Sequence, residues 1–413
     1  MSEWKKVKLK DCCLKIGSGS TPKGGSTVYV DSGTSLIRSQ NVYNLLFDYN
    51  GLTHISDEAA KKLKGVTIFN EDILLNITGD SVARTCVVPN DVLPARVNQH
   101  VAIVRVDKNL MNYRFLNYYL ASPKMQAHML NLAVGKGASR NAMTKQMIEN
   151  FEVPCPPLPT QHRIATILSR YDTLIENYQK QIKLLEEAAQ RLYKEWFVDL
   201  RFPGYEHTKV VDGVPEGWER KKLKDVFTYV RGRSYTSKEL AEEGTCMVNL
   251  KNIQAFGGYN RNAEKRYIGV YKEEQSLKKG DLVMGVTDMT QERRLVGHVA
   301  LIPEFNEPAT FSMDLIKILP VELSNAFLYC AMRFGGLSKN ISPLANGVNV
   351  LHLKPEAIMG LEMIVPSKEI VNHFDNYFNS IFNTILRYQS QIRLLTEARD
   401  RLLPRLMRGE INL

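Results

Sequence analysis

Residues 179–192 read QKQIKLLEEAAQRL, and residues 389–402 read QSQIRLLTEARDRL. Nine of the fourteen positions are identical across an offset of 210, about half of the 413-residue chain. Around the first copy the apolar positions are Leu168, Tyr171, Ile175, Tyr178, Ile182, Leu185, Ala189, Leu192 and Trp196. Around the second they are Val371, Phe374, Phe378, Ile381, Ile385, Tyr388, Ile392, Leu395, Leu402 and Leu406, with Arg399 as the only break. Steps alternating between three and four residues are a coiled-coil seam. A helix near 37 residues is about 55 Å long. Each seam is narrow, where a helix that only covered its own globular part would carry a wider stripe. The two helices are therefore expected to pack on one another within the chain, antiparallel, with a globular unit at either end.

Working outward, the start of the chain repeats as well. Trp4-Lys-Lys-Val-Lys-Leu-Lys-Asp11 is echoed by Trp218-Glu-Arg-Lys-Lys-Leu-Lys-Asp225. Proline precedes each helix, in Val153-Pro-Cys-Pro-Pro-Leu-Pro159 and in Val365-Pro-Ser367, where it ends a strand and opens a helix. The order thus expected is a globular unit over 1–155, a spacer helix over 156–200, a linker over 201–217, a second unit over 218–366 and a second helix over 367–413. Short β-branched runs such as Ile73-Leu-Leu-Asn-Ile77, Val101-Ala-Ile-Val-Arg-Val106, Asp281-Leu-Val-Met-Gly-Val286 and Leu315-Ile-Lys-Ile318 fill both units, separated by Gly, Pro and Asn. Each unit reads as mainly β with a few helices, one of them over Tyr113–Leu132. The fold class is α+β: two mainly-β units related by pseudo-two-fold symmetry, separated by an intramolecular coiled coil.

Composition narrows the function. Hydrophobic residues make up 44% of the chain, with 18 Tyr and 15 Phe, which supplies ordinary cores and excludes wholesale disorder. A net charge of +10 points to a polyanionic partner, nucleic acid first. The six cysteines include no CxxC spacing and the eight histidines no HxxxH, so nothing supports a metal site. The N-terminus lacks the pattern of a signal peptide and no run approaches eighteen apolar residues, so a reduced, cytoplasmic, soluble protein is expected.

Enzyme signatures are sparse. Gly17-Ser-Gly-Ser-Thr-Pro-Lys-Gly-Gly25 and Val134-Gly-Lys-Gly137 both miss the GxxxxGK[ST] phosphate cradle. Pro156-Pro157 lies between Cys155 and Leu158 and lacks the flanking polar and aromatic residues with which adenine-N6 methyltransferases hold a flipped base. A chain without catalytic residues, binding DNA at two places, fits best. Polar clusters beside strand ends are the candidate contacts, because Arg can fork onto guanine and Asn or Gln onto adenine. In the first unit these are Arg38, Gln40, Asn41, Thr78, Ser81, Arg84, Gln99, His100, Lys136 and Arg140. In the second they are Asn249, Lys251, Asn252, Thr287, Thr290, Arg293, Arg294, Asn346 and Asn349. The plainer reading of any one of them is a solvated turn residue or cap.

Taken together, the sequence resembles the specificity subunit of type I restriction–modification enzymes. The resemblance spans essentially the whole chain. It rests on Trp4-x6-Asp11 and Trp218-x6-Asp225, Gly19-Ser-Thr-Pro22, Pro156-Pro-Leu-Pro-Thr-Gln-His-Arg-Ile164 and Glu195-Trp-Phe-Val-Asp-Leu-Arg-Phe-Pro203, beside the duplicated helices. The second copy departs, with Arg231-Gly-Arg-Ser-Tyr235 in place of the Gly-x-Thr-Pro turn and Ser367-Lys-Glu-Ile370 in place of the PPLPTQ start. The resemblance implies two target-recognition domains reading a split, asymmetric site on double-stranded DNA. It implies no cofactor on this chain, two modification subunits carrying S-adenosylmethionine for adenine-N6 methylation, and two restriction (motor-nuclease) subunits. The alternatives are a scaffold that bridges two partner copies without DNA, and a free-standing DNA methyltransferase.

Overall fold

A computed structural model describes residues 4–134 and 141–411. The chain divides into two compact units, one built from Met1–Asn177 with Gln391–Leu413, the other from Tyr178–Ser390. In the first unit the strands that frame the core include β1 (Cys13–Ser18), β2 (Thr34–Ile37), β3 (Ile73–Asn76), β4 (Thr85–Val87), β5 (Ala95–Val97) and β6 (Val101–Val106), followed by helix α1 (Tyr113–Ala121). An antiparallel sheet runs β4-β3-β6-β1, and a second sheet holds β2 and β5 side by side and parallel. Ile73, Leu74, Leu75, Val101, Ala102, Ile103 and Val104 are all fully buried, which is why these runs read as continuous apolar stretches rather than as an alternation.

The second unit repeats that topology. Its strands are β7 (Phe227–Arg231), β8 (Thr245–Val248), β9 (Leu282–Gly285), β10 (Val299–Leu301), β11 (Ala309–Phe311) and β12 (Leu315–Pro320), with helix α3 (Asn325–Arg333) in the place of α1; the long helix α2 (Leu158–Tyr193) comes between the two sets. The sheet order β7-β12-β9-β10 matches β1-β6-β3-β4, and β8 lies parallel to β11 as β2 does to β5. Each unit is closed by a two-stranded antiparallel pair, Lys6–Lys8 with Glu152–Pro154 and Glu219–Lys222 with Glu362–Val365. That pairing delivers the chain to the start of a long helix in both copies.

Glycine at the end of the first sheet strand is common to both. The Gly19 amide donates to the Val101 carbonyl and that of Ser20 to Val97, both at 2.9 Å. The Gly232 amide donates to Leu315 at 3.2 Å and that of Arg233 to Phe311 at 2.8 Å. A Cβ on Gly19 would stand 2.1 Å from the Val97 carbonyl oxygen, and one on Gly232 2.0 Å from that of Ser312. The Gly-Ser-Thr-Pro and Arg-Gly-Arg-Ser-Tyr stretches therefore differ in letters but share one close backbone approach.

Helix α2 opens on Pro156-Pro-Leu-Pro-Thr-Gln. Gln161, wholly buried, accepts from the Asn112 amide at 2.8 Å and donates to the carbonyls of Pro156 at 2.8 Å and Leu110 at 3.1 Å. It ties the helix start to the loop before α1. One expectation needs correcting: Tyr113–Leu132 is two helices, α1 and a second over Pro123–Ala133. Ser122 between them is extended (φ −66°, ψ 145°), because Pro123 has no N–H to continue the ladder and disfavours helical backbone before it.

The second long helix, α4 (Lys368–Met407), mirrors the first. In the first unit Ile164, Ala165 and Leu168 from the start of α2 share a core with Leu403, Leu406 and Met407 from the end of α4. In the second unit Tyr178 stacks on Tyr388 (4.9 Å between ring centres), while Trp196, just past α2, packs on Phe374 near the start of α4 at 6.1 Å. Advancing along one helix means retreating along the other, so the pairing is antiparallel in each unit. Leu168, Ile175 and Ile385 are buried, and Ile182, Leu185, Leu192, Ile381, Ile392, Leu395 and Leu402 are half-buried. Arg399, expected as a break in the seam, is instead accommodated by an ion pair with Asp172 at 2.7 Å. Among the described residues no helix is long and apolar enough to cross a membrane.

Candidate nucleic-acid interface

In the first unit the ends of β3 and β6 and the turns beside them enclose an open cleft of about 530 Å³. Five of the residues expected from sequence line it: Gln40, Thr78, Ser81, Arg84 and His100. The Ile77 amide donates to the His100 carbonyl at 3.0 Å, which brings the Thr78 turn against β6. The Thr78 hydroxyl then meets His100 Nδ1 at 2.6 Å, while His100 Nε2 lies 3.2 Å from the Gln99 amide nitrogen. Thr21 in turn donates to the Gln99 carbonyl oxygen, so Gln99 belongs to the same network. Gly79, at φ +74°, lets the turn fold back so that its amide donates to the Asn141 carbonyl at 2.9 Å.

Arg84 extends over the ring of Tyr43, 4.5 Å from its centre. That contact orients a cation while leaving its N–H groups available to an acceptor. Ser39, Tyr43, Asp80 and Asn141 complete the polar wall; Ser39 and Asp80 belong to the polar clusters 38–41 and 78–81 read from sequence, whereas Tyr43 and Asn141 lie outside every such cluster. Asn141 follows Arg140 directly in the chain; Tyr43 has no local signal, since its place is set by a strand pair with Leu46. Lys136 and Arg140 lie outside the described residues.

Three expected contacts have other work in this structure. The buried Asn41 accepts from the Arg38 amide at 3.0 Å and donates to the Asp48 carbonyl at 2.9 Å. The buried Asn252 accepts from the Asn249 amide at 2.8 Å and donates to the Asn260 carbonyl at 2.7 Å. Asn249 donates to the Ala263 carbonyl at 2.8 Å. These amides hold matching turns in the two units and are enclosed, so they offer no edge to a base as folded. Arg38 reaches the Gly51 carbonyl at 2.6 Å beside Gln40, and Lys251 stands exposed on its turn.

In the second unit the corresponding loop, Thr287–Val296, is organised by the buried Asp288. Its carboxylate accepts from the Thr290 amide and hydroxyl at 2.8 Å each, from the Leu295 amide at 2.6 Å and from the Val296 amide at 3.2 Å. Burial works to raise its pKa, but these hydrogen bonds to the charged form outweigh it and hold the carboxyl below the usual range. Thr287 is buried and donates to Asp314 at 2.9 Å. Thr290 is exposed through the rest of its surface. Arg293 sits at φ +53°, half-buried, with Nε enclosed and without an acceptor in the fold. Arg294 is exposed but paired with Glu292. The Gln291 amide donates to the Val348 carbonyl at 2.8 Å, joining this loop to the one that carries the exposed Asn346 and Asn349.

Cys246, Glu264 and Glu307 bring their ligand atoms within 4.8 Å of one another. Arg266 occupies that neighbourhood, 2.9 Å from Glu307 and 3.9 Å from Glu264, and burial pushes the Cys246 thiol up to about 12. A neutral thiol beside an arginine is a poor cation cradle, and the group reads as an ion-pair cluster.

A family model described as the type I restriction modification DNA specificity domain matches residues 1–187 and 215–391. The type I restriction enzyme MjaIX specificity subunit of Methanocaldococcus jannaschii is 27% identical over 425 aligned positions, covering 99% of this chain and 94% of that protein. The HindI specificity subunit of Haemophilus influenzae is 23% identical, with both chains covered completely. A crystal structure of the type I restriction–modification S subunit from M. genitalium superposes with a TM-score of 0.60 at 16% identity, covering 98% of this chain and 96% of that one.

Proposed function

Because the chain belongs to the family of type I restriction–modification DNA specificity domains, we propose that it is the specificity subunit of such a system, each of its two units reading one half of a bipartite, asymmetric DNA site. The observation that carries this reading is the duplicated unit, with a polar cleft in the first copy and an arginine-bearing loop at the matching strand end in the second. The groups in the cleft suit the major groove: a stacked arginine for guanine, amides for adenine, and hydroxyls that accept or donate. The chain itself contributes recognition, while chemistry falls to its partners. Two modification subunits bring S-adenosylmethionine and methylate adenine N6 within the site, and two restriction subunits join for cleavage. All of this takes place in the cytoplasm, where the DNA is. The net charge of +10 supports phosphate contacts that fix register without reading sequence.

The test is methylome sequencing of cells that carry this chain with its partners. Arg84→Ala is expected to relax one half-site and Arg293→Ala the other, each at about 1–3 kcal/mol per lost base contact. If either change weakens methylation at all sequences equally, that arginine holds phosphate. If neither alters any half-site, the cleft and the loop are not where sequence is read.

A further inference from the structure

Arg399 is the charged residue among the seam positions read from the sequence. In the first unit its Nη1 donates to Asp172 Oδ1 at 2.7 Å, with the two side chains only 14% and 19% exposed. Tyr118, buried on α1, donates to the other oxygen of Asp172. Arg399 also donates through Nε and Nη2 to Asp400 at 2.9 and 2.8 Å. Applying the offset of 210 shows that this arrangement is confined to one copy. The repeat mate of Asp172 is Phe382 and that of Arg399 is Ala189. In the second unit Ala189 is buried, Phe382 packs on the same core, and both line one small cavity. Between the two long helices the seam is thus apolar at one of two equivalent places and ionic at the other; Glu186 of α2, which lines the same cavity, pairs at 3.3 Å with Arg333 of α3 instead.

We propose that the Asp172–Arg399 pair is a pairing key: it selects the union of the first long helix with the second and rejects the pairing of either helix with its own counterpart from a second copy of the chain. The two seams repeat in register, so apolar contact alone discriminates weakly between these unions. In an antiparallel pair of two first helices, Asp172 would face Ala189 of the other copy and keep only the Tyr118 hydroxyl. In a pair of two second helices, Arg399 would face Phe382 of the other copy. The union of two first helices leaves Asp172 half-buried without its counter-ion, which costs far more than the pair contributes when made; the union of two second helices costs Arg399 its partner across the seam and leaves it Asp400 on its own helix. A single polar contact that fixes partner and register within an apolar seam is an established use of such groups.

The experiment uses the full chain. Asp172→Phe with Arg399→Ala writes the apolar pair of the second unit into the first. A well-packed apolar pair in place of a buried ion pair need not lower stability, so thermal unfolding should stay at or above that of the unmodified chain. The self-association constant from sedimentation is expected to rise by at least about tenfold, a figure kept low because both charges retain some solvent. Reciprocal exchange of helices between copies preserves every native pair and is not favoured by this change, so the rise reports homotypic union. A folded double variant that associates no more than the unmodified chain would overturn the proposal. Should that variant fail to fold, charge reversal decides. Asp172→Arg alone should promote association, and Asp172→Arg with Arg399→Asp should abolish the gain. Equal association by the single and the double reversal would overturn it too.

Discussion

Asn41 and Asn252 stand at the same point of the two copies, and each closes a three-residue turn with both ends of its amide. An asparagine that reads adenine and one that caps a turn are the same residue in sequence; the difference is whether backbone groups come within reach once the chain is folded. The carbonyls of Asp48 and Asn260 do, and the amides are taken. His298 presents a similar case with a measurable consequence. It is buried under the edge of Phe256, whose ring centre lies 5.5 Å away, beside the Arg293 loop. Burial lowers its pKa, against the opposing effects of the Arg293 backbone and the Asp288 charge. The unfolded imidazole then takes up its proton at higher pH than the folded one, so stability rises with pH through this window and falls as pH drops below about 6.5. Thermal unfolding followed from about pH 7.5 to pH 5.5 should show that loss, and His298→Gln should flatten it. An identical slope in the variant would assign the titration to another group.

At the scale of elements, strand ends carry most of the constraint. Gly19 lies where β1 leaves its sheet, with a carbonyl oxygen 2.1 Å from any added Cβ, and the obstacle is backbone rather than a side chain that can swing away. Gly19→Ala should therefore cost about 1–3 kcal/mol by denaturant unfolding, as overpacking does. Gly17, two residues earlier in β1, has nothing within 4 Å of an added Cβ, and Gly17→Ala should remain within about 0.5 kcal/mol of the unmodified chain. Equal effects at both positions would mean that the close approach at Gly19 relaxes freely. The long helices follow a different logic. Their seam was legible because a period of 3.5 residues persists over many turns, whereas the break at Ser122 was not, because the apolar pattern of Tyr113–Leu132 runs on across it.

For the whole molecule, the proposed reading of a split site carries a ruler with it. Seven residues inserted beside Tyr178 and seven beside Tyr388 keep the coiled-coil register and lengthen each helix by about 10.5 Å. At roughly 3.4 Å per base pair, the gap between the half-sites should grow by up to about three pairs while the half-site sequences stay as they were. Methylome sequencing detects this even where altered twist between the halves weakens binding. An active variant with an unchanged gap would show that the helices do not set the distance.

Repetition and periodicity were enough, read from sequence, to establish the duplicated architecture, the two long helices and their shared register, because these follow from local spacing that folding does not rearrange. Five cleft residues were also within reach, since polar clusters at the ends of apolar runs must lie at sheet ends: Gln40, Thr78, Ser81, Arg84 and His100. What only the tertiary structure decided is which polar groups remain free. Asn41, Asn249, Asn252 and Thr287 are consumed by partners 7, 14, 8 and 27 residues away in the chain. Tyr43 enters the cleft by a strand pairing and a stacked arginine that no local pattern announces. Arg399 changes from a flaw in a seam to half of an ion pair because Asp172, 227 residues distant, lies opposite it. Hydrogen bonds and ion pairs depend on positions within a few tenths of an ångström, and long-range folding alone supplies those.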